Sequence, residues 1–266
     1  MLTAAELWRM AGSLRPRRFA AGESVTFSGL PLAAMQFIVS GRVLELEGGR
    51  VLGPREVIGD LGELLDEAPA RRAIAREATL TLEFDRAALE DLLEDDFSIF
   101  LGVLRATARR LVGRPRARAL APPARGFQES GSPALDLVER VLLLQANPRL
   151  ARAELAALAS LAEGATEFVL SAGAPLFEAE APAEDFVVLA AGHVTIEAPG
   201  GPQRAAPGED VGMTEALAAE TSWPSASAAT PLRGLRIGAT SLIDTLEDYP
   251  GCGLGLLRAL ARELDS

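Results

Sequence analysis

FAAGESVTF at residues 19–27, followed by MQFIVSGRV at residues 35–43, contains short alternating apolar runs that are bounded by glycines. Such alternation predicts strands of an antiparallel sheet with one buried face. Both stretches return 151 residues later, as LSAGAPLFE at 170–178 and FVVLAAGHV at 186–194. The turn glycines of the two pairs match without a gap. The chain therefore contains two copies of one strand pattern.

Two further pairs of segments support an internal repeat. PREVIGD at 54–60 matches PGEDVGM at 207–213, and LEDLLEDDF at 89–97 matches LIDTLEDYP at 242–250. Both pairs are 153 residues apart, as a hairpin that is two residues longer in the second copy would give. Four matches in the same order predict a tandem duplication.

Helical periodicity flanks the strands of each copy. The first copy begins with Ala4–Leu14 and ends with Ala87–Leu111, whereas the second begins with Leu135–Gln145 and Arg152–Glu163 and ends with Pro250–Leu264. The predicted fold class is mainly β with flanking helices (α+β). It consists of two tandem jelly-roll-like β-rolls, each with N- and C-terminal helices.

Charge and proline content divide the chain into three parts. Residues 1–112 carry 14 Arg against 17 acids, and residues 135–266 carry 8 Arg against 19 acids. Residues 113–134 carry four Arg, one acid and four prolines, with no apolar period. Proline removes backbone donors and favours extended chain. We predict domains at 1–112 and 135–266, joined by a Pro/Arg-rich linker at 113–134.

Composition argues against most kinds of catalytic and metal site. The chain has one cysteine, Cys252, and one histidine, His193, which excludes an internal disulfide framework, a thiolate zinc site and a multi-histidine metal centre. We expect no enzyme, no metal and no resident cofactor. A net charge of −11 disfavours nucleic acid as a partner. No apolar run reaches the length of a membrane span, so we expect a cytoplasmic protein.

The spacing of these motifs resembles the cyclic-nucleotide-binding domain family, which includes bacterial catabolite activator proteins and the regulatory subunits of protein kinase A. The resemblance rests on the paired strand glycines, on the P-x-x-x-x-G segment at 54–59 and on the later Pro69 with Arg71-Arg72. It spans both copies. It implies a cassette after Ile58 that binds a cyclic phosphate.

In the first copy the resemblance implies a set of ligand-binding residues, namely Gly59, Asp60, Leu61, Glu63, Arg71 and Arg72. Helix amides and an arginine suit a phosphate, and a carboxylate suits a ribose hydroxyl. Either Arg71 or Arg72 can match the phosphate-binding arginine of the family, because one residue is inserted after Pro69. Asp60 stands where the family usually has Glu, and its side chain is one methylene shorter. Glu63 is the alternative acceptor for the ribose hydroxyl. A cyclic nucleotide bound to this copy is the one ligand that the resemblance implies.

The second copy departs further from the cassette. Its counterparts are Gly212, Met213, Ser225 and Ser227: the glycine is kept, a methionine replaces the acid, and residues 223–227 contain no arginine. Losing a charge-assisted hydrogen bond costs about 1.5–3 kcal/mol. We therefore predict a degenerate cassette that no longer binds a nucleotide.

Three functional hypotheses follow. The leading one is a bacterial, non-enzymatic regulatory or protein-interaction protein in which ligand binding is weak or lost in the first copy and lost in the second. The alternatives are a genuine cyclic-nucleotide or other second-messenger sensor acting through the first copy, and an acidic subunit that docks on a basic partner. A protein partner and a homodimer both stay open. No helix-turn-helix follows either copy, so we expect no DNA-binding domain.

Overall fold

The chain is organised as two compact units. A computed structural model describes residues 12–59, 64, 71–112, 114, 134–198, 201–219 and 225–265. Backbone contacts end the first unit at Gly102 and begin the second at Val103. This division lies inside a helix, before the predicted boundary at residue 112. The predicted domain bounds stay a prediction.

Unit 1 is a β-roll of two four-stranded antiparallel sheets. Sheet 1a has the order β1-β8-β3-β6, and sheet 1b has the order β2-β7-β4-β5. The strands are β1 Arg15–Phe19, β2 Ser24–Thr26, β3 Ala34–Ser40, β4 Val43–Glu45, β5 Val51–Leu52, β6 Val57–Ile58, β7 Ala73–Ala75 and β8 Thr79–Asp85. Alternate side chains of both sheets point inwards. The inner residues form a core of Ile38, Val43, Leu52, Ile58 and Ala73.

Unit 2 repeats this strand order. Sheet 2a is β9-β16-β11-β14, and sheet 2b is β10-β15-β12-β13, so each strand of unit 1 has its equivalent eight strands later. The strands are β9 Thr166–Leu170, β10 Pro175–Phe177, β11 Asp185–Ala191, β12 Val194–Ala198, β13 Gly201–Ala205, β14 Asp210–Val211, β15 Ala226–Ala228 and β16 Leu232–Gly238. The predicted class, mainly β with β-rolls and flanking helices, is confirmed.

Turns of the two units share individual hydrogen bonds. The Gly22 N–H donates to the Ala75 carbonyl at 2.7 Å, and the Gly173 N–H donates to the Ala228 carbonyl at 2.7 Å. These bonds occupy matched positions, and they tie the turn before the second strand to the seventh strand of each roll.

The helical end of the first copy differs from the prediction. Ala87–Leu111 forms two helices, α1 Arg86–Asp95 and α2 Phe97–Leu111. Asp96 between them is extended, and its carboxylate accepts the N–H groups of Ser98 and Ile99. Asp96 therefore caps α2, and the predicted continuous helix is wrong at this residue because a side-chain cap competes with helix continuation. The predicted helix Ala4–Leu14 lies largely outside the described residues.

The remaining helices belong to unit 2. They are α3 Leu137–Ala146, α4 Leu155–Gly164, α5 Met213–Ala218, α6 Ala239–Asp248 and α7 Pro250–Asp265. The two predicted N-terminal helices are confirmed within three residues at their ends. Asp136 and Glu139 start α3 with a reciprocal capping box.

The predicted linker at 113–134 lies outside the described residues, apart from positions 114 and 134. Within the described part of the chain, every helix is too short or too polar to cross a membrane.

Candidate functional site

Gly59 follows β6 and has a left-handed backbone conformation, which is strained for residues other than glycine. Its φ is +79°, and a Cβ added there would lie 2.5 Å from Cδ2 of Leu32. Leu32 is 2% exposed. Glycine is required both by the left-handed backbone and by the close approach of Leu32. The space directly beside Gly59 is thus occupied by a buried leucine side chain.

Three of the predicted ligand-binding residues, Asp60, Leu61 and Glu63, lie outside the described residues. Leu64, which follows them, is fully buried. Assignment of the ribose acceptor to Asp60 or Glu63 therefore stays a prediction.

Arg71 and Arg72 extend strand β7 towards the cassette. The Leu46 N–H donates to the Arg72 carbonyl at 2.9 Å, which continues the pairing of β4 with β7. Ala73 is buried and Arg72 is exposed, so alternation places Arg72 on the outer side of sheet 1b. The same alternation places Arg71 on the inner side, where its carbonyl accepts the Thr26 hydroxyl at 2.5 Å. Both arginines are exposed at this end of the strand, and strand alternation alone separates their sides, so the choice of Arg71 as the phosphate ligand stays a prediction.

Two carboxylates share this end of the roll with Arg71. Glu45 is 8% exposed on the inner side of β4, and the Glu47 carboxylate accepts the Arg72 N–H at 2.7 Å. Unit 2 has Ile196 and Ala198 at the matched positions. Like charges repel most strongly where water is scarce. The buried Glu45 carboxylate therefore opposes an anionic ligand in unit 1, whereas Glu47 is exposed to solvent.

The matching cassette of unit 2 is a buried helix. Gly212 keeps a left-handed backbone with φ +95°, and α5 begins at the next residue. All six residues of α5 are buried, and Met213 has no exposed surface. An apolar side chain therefore fills the interior at the position where the resemblance implies a carboxylate.

Ser225 and Ser227 lie on or beside β15 in sheet 2b. The Glu197 N–H donates to the Ser225 carbonyl at 2.9 Å, as the matched N–H does to Arg72 in unit 1. Ser225 is the counterpart of Arg72, and Ser227 is the counterpart of Ile74. Ala226 between them is buried and Ser227 is exposed, so both serines lie on the outer side of the sheet. Neither serine faces the interior of the roll.

A buried ion-pair network lies beside α5, and sequence reasoning missed it. Arg149 is 6% exposed; its Nη1 donates to Oδ2 of Asp210 at 2.9 Å, and its Nε and Nη2 donate to Glu263 at 2.8 and 2.7 Å. Asn147 is fully buried, and its amide donates to the Gly208 carbonyl at 3.2 Å. The network joins the loop after α3, strand β14 and α7. The sequence contains one signal for this network, because Asp210 stands where unit 1 has an apolar strand residue.

The network contains more carboxylates than cations. Burial by itself lowers the pKa of Arg149, but the surrounding carboxylates outweigh burial and raise that pKa above its ordinary value. Glu215 in α5 is one of these carboxylates, and its Oε2 has no hydrogen-bond partner among the described residues. This part of unit 2 is rich in negative charge, which disfavours an anionic ligand.

The two residues that composition singled out have ordinary structural surroundings. Cys252 is buried in α7, and burial, followed by the nearby Glu154, raises the pKa of its thiol to about 11. His193 is exposed in the β11–β12 turn, where its N–H donates to the Thr230 hydroxyl at 2.9 Å. Within the described ranges, no three His, Cys, Asp or Glu side chains converge on a metal position.

Comparisons with known proteins gave matches among solved structures alone. No protein-family model matches the chain, and no curated protein sequence matches it. The regulatory domain of Toxoplasma gondii protein kinase A with cAMP has 14% identity and a TM-score of 0.35, over 96% of this chain and 88% of that one. The regulatory subunit of a cAMP-independent protein kinase A from Trypanosoma brucei has 15% identity and a TM-score of 0.36, over 93% and 85%.

Single-domain structures match one part of the chain. The sensor domain of the Pseudomonas aeruginosa transcriptional regulator DNR has 21% identity and a TM-score of 0.43, over 48% of this chain and 90% of that one. These three structures are a regulatory domain, a regulatory subunit and a sensor domain. Because these TM-scores are below 0.5, the fold assignment stands on the strand order of the two units.

Proposed function

We propose that the chain is a non-enzymatic regulatory or protein-interaction protein. It is built from a tandem duplication of a cyclic-nucleotide-binding-like roll. Ligand binding is weak or lost in unit 1 and lost in unit 2. The shared strand order and the shared turn hydrogen bonds support the duplication.

One observation carries the proposal for unit 2. The residue matched to Arg72 is Ser225, the residue before it is Pro224, and helix α5 buries all of its side chains. A cyclic phosphate needs a cation or free amides in a space that it can enter. The described residues of unit 2 provide neither at the matched strand end, and Glu215 and Asp210 add negative charge.

Unit 1 keeps part of the cassette. Arg71 has the position expected of a phosphate ligand, but Leu32 occupies the space beside Gly59. Glu45 places a buried carboxylate on the same inner side. These two features support weak or absent binding of an anionic nucleotide.

Isothermal titration calorimetry of the full chain with cAMP and with cGMP tests this proposal. We expect the dissociation constant of either nucleotide to be weaker than about 1 μM. A Kd of about 1 μM corresponds to a binding free energy of about 8 kcal/mol. Sub-micromolar binding of either nucleotide would exclude the proposal in favour of a sensor.

A sensor acting through unit 1 is the second candidate, and the inward position of Arg71 favours it. On this hypothesis cAMP or cGMP raises the melting temperature, and Arg71→Ala abolishes that rise. Arg72→Ala is the matched control, because it removes the same charge from the outer side of the sheet. Equal loss of the rise in both variants contradicts the assignment to Arg71.

A further inference from the structure

Sheet 1b of unit 1 has an inner and an outer side that are chemically distinct. Val43, Ala73 and Ala75 face the core and are buried, whereas their neighbours along β4 and β7 are partly or fully exposed. Eight residues that alternate outwards or continue this side carry large apolar or basic side chains, namely Phe27, Arg42, Leu44, Leu46, Val51, Arg72, Ile74 and Arg76. Ser24, opposite Ile74, ends this side on β2. We call these eight residues the outer face of unit 1.

The strand register brings the apolar members of the outer face together. Leu44 pairs with Ile74 on one side and with Val51 on the other, so these three residues form a row across three strands. Directly opposed residues in a sheet have Cβ atoms about 5 Å apart. Val51 is 49% exposed. The row is therefore a continuous apolar strip on the surface.

A second row lies beside the first. Leu46 is opposite Arg72 across the β4–β7 ladder, and Phe27 follows Thr26, whose partner is Ala73. Phe27 is 57% exposed and Leu46 is 43% exposed. An exposed arginine thus lies between two exposed apolar side chains, a combination enriched at protein interfaces.

The arginines give the outer face its charge. Arg42 and Arg76 are opposite each other, since the Arg76 N–H donates to the Arg42 carbonyl at 2.8 Å, and neither side chain is buried. With Arg72 they place three guanidinium groups around the apolar strip. None of the three forms an ion pair with a described residue. None of the eight members of the outer face is an acid, and the Glu47 carboxylate lies at its edge, where it accepts the backbone N–H of Arg72.

Unit 2 shows that the roll does not require this composition. The matched positions, by the register of sheet 2b, carry Glu178, His193, Thr195, Glu197, Arg204, Ser225, Ser227 and Ala229. Every apolar member of the outer face of unit 1 is replaced there by a polar or charged side chain. The same strand order therefore folds with a polar outer side. Folding of the roll does not explain why unit 1 has apolar residues and arginines on that side.

We propose that the outer face of unit 1 docks a segment of a partner protein that carries both carboxylates and apolar side chains. Charge complementarity favours carboxylates, because the face presents three arginines and no acid. The apolar strip favours a protein segment over a nucleic acid. Pairing of two outer faces would bring six guanidinium groups together, which disfavours a symmetric dimer through this surface. The proposal goes beyond the proposed regulatory role and does not depend on a nucleotide.

The test uses the full chain and a labelled synthetic peptide in which one face of the extended peptide alternates Leu with Asp and the other carries Ser. We expect saturable binding by fluorescence anisotropy, and weaker binding as salt rises from about 0.05 M to about 0.5 M. The same peptide with Arg in place of Asp should not bind.

Variants that introduce the residues of unit 2 identify the surface. Arg72→Ser and Ile74→Ser should each weaken peptide binding about tenfold, whereas Arg18→Ser, which removes the same charge from sheet 1a, should leave binding unchanged. Unaltered melting curves exclude misfolding. Absence of peptide binding, or equal loss in Arg18→Ser, overturns the proposal. So does self-association that Ile74→Ser abolishes, or binding to phosphatidylserine vesicles or duplex DNA through the same residues in place of the peptide.

Discussion

Units 1 and 2 have the same strand order, yet some of their arginines occupy opposite environments. In unit 1, Arg42, Arg72 and Arg76 lie at the surface on one side of a sheet. In unit 2, Arg149 and Arg233 are almost fully buried and are bound to carboxylates. The backbone fold is thus compatible with either arrangement. The two units therefore differ in which of their arginines are presented to solvent and which are paired in the interior.

The cassette regions of the two units also differ in the side chains that surround the shared glycine. In unit 1 the Leu32 side chain lies beside Gly59, and the Glu45 carboxylate is buried on the inner side of sheet 1b. In unit 2 all residues of α5, which follows Gly212, are buried, and Arg149 forms a buried ion pair with Asp210. The two regions that resemble one another in backbone therefore differ in chemistry. Three mutational experiments can break or sharpen this comparison.

The largest expected effect comes from breaking the buried network of unit 2. Arg149→Met removes the guanidinium that pairs with the buried Asp210 and the partly exposed Glu263, which should cost about 3–5 kcal/mol of stability. Urea unfolding and hydrogen exchange of Pro250–Asp265 measure the loss.

The control for that variant lies in unit 1. Arg50 pairs with Glu56 at 2.9 Å, but the Arg50 side chain is 64% exposed, so Arg50→Met should cost less than about 1 kcal/mol. Adding Asp210→Val to Arg149→Met should recover part of the stability, because it supplies the apolar residue that unit 1 has there. Equal losses in the two single variants would contradict a structural role for the network.

An intermediate effect is expected at Gly59. Gly59→Ala imposes left-handed strain of about 1–2 kcal/mol and adds an overlap with Leu32. Gly22 has a similar φ of +84°, and a methyl group there would meet no atom within 4 Å, so Gly22→Ala should show the strain alone. The difference in unfolding free energy between the two variants measures the packing of Leu32. If Gly22→Ala is the more damaging change, the space beside Gly59 is open.

The smallest effect concerns the helix that follows each roll. Asp85 caps α1 in unit 1 by accepting the Ala88 N–H at 2.8 Å, whereas Gly238 begins α6 in unit 2 without a side-chain cap. Asp85→Ala should cost about 1 kcal/mol, and Asp85→Asn should cost little because the amide oxygen also accepts. Thermal unfolding compares the two variants, and a loss in the Asn variant as large as in the Ala variant would argue for a role of Asp85 other than capping.

The sequence prediction succeeded where the signal is local. Strand alternation and turn glycines depend on neighbouring residues, so the two rolls and their order could be predicted. The break at Asp96 was also a local signal, since Asp followed by Phe-Ser-Ile is typical of a helix start, but helical periodicity concealed it. The outward position of the Arg72 side chain became visible only through the hydrogen bond between Leu46 and Arg72, which sets the register of that strand end.

Other features were decided by tertiary structure alone. Arg149 is 61 residues from Asp210 and 114 residues from Glu263 in the chain, so no local pattern connects them. The outer face of unit 1 likewise exists because four strands align in one register. By itself the sequence determined the repeated β-rolls, because turns and alternation are properties of short segments. Only the tertiary structure decided which charges are buried and which are presented, because burial depends on residues that the chain brings together from a distance.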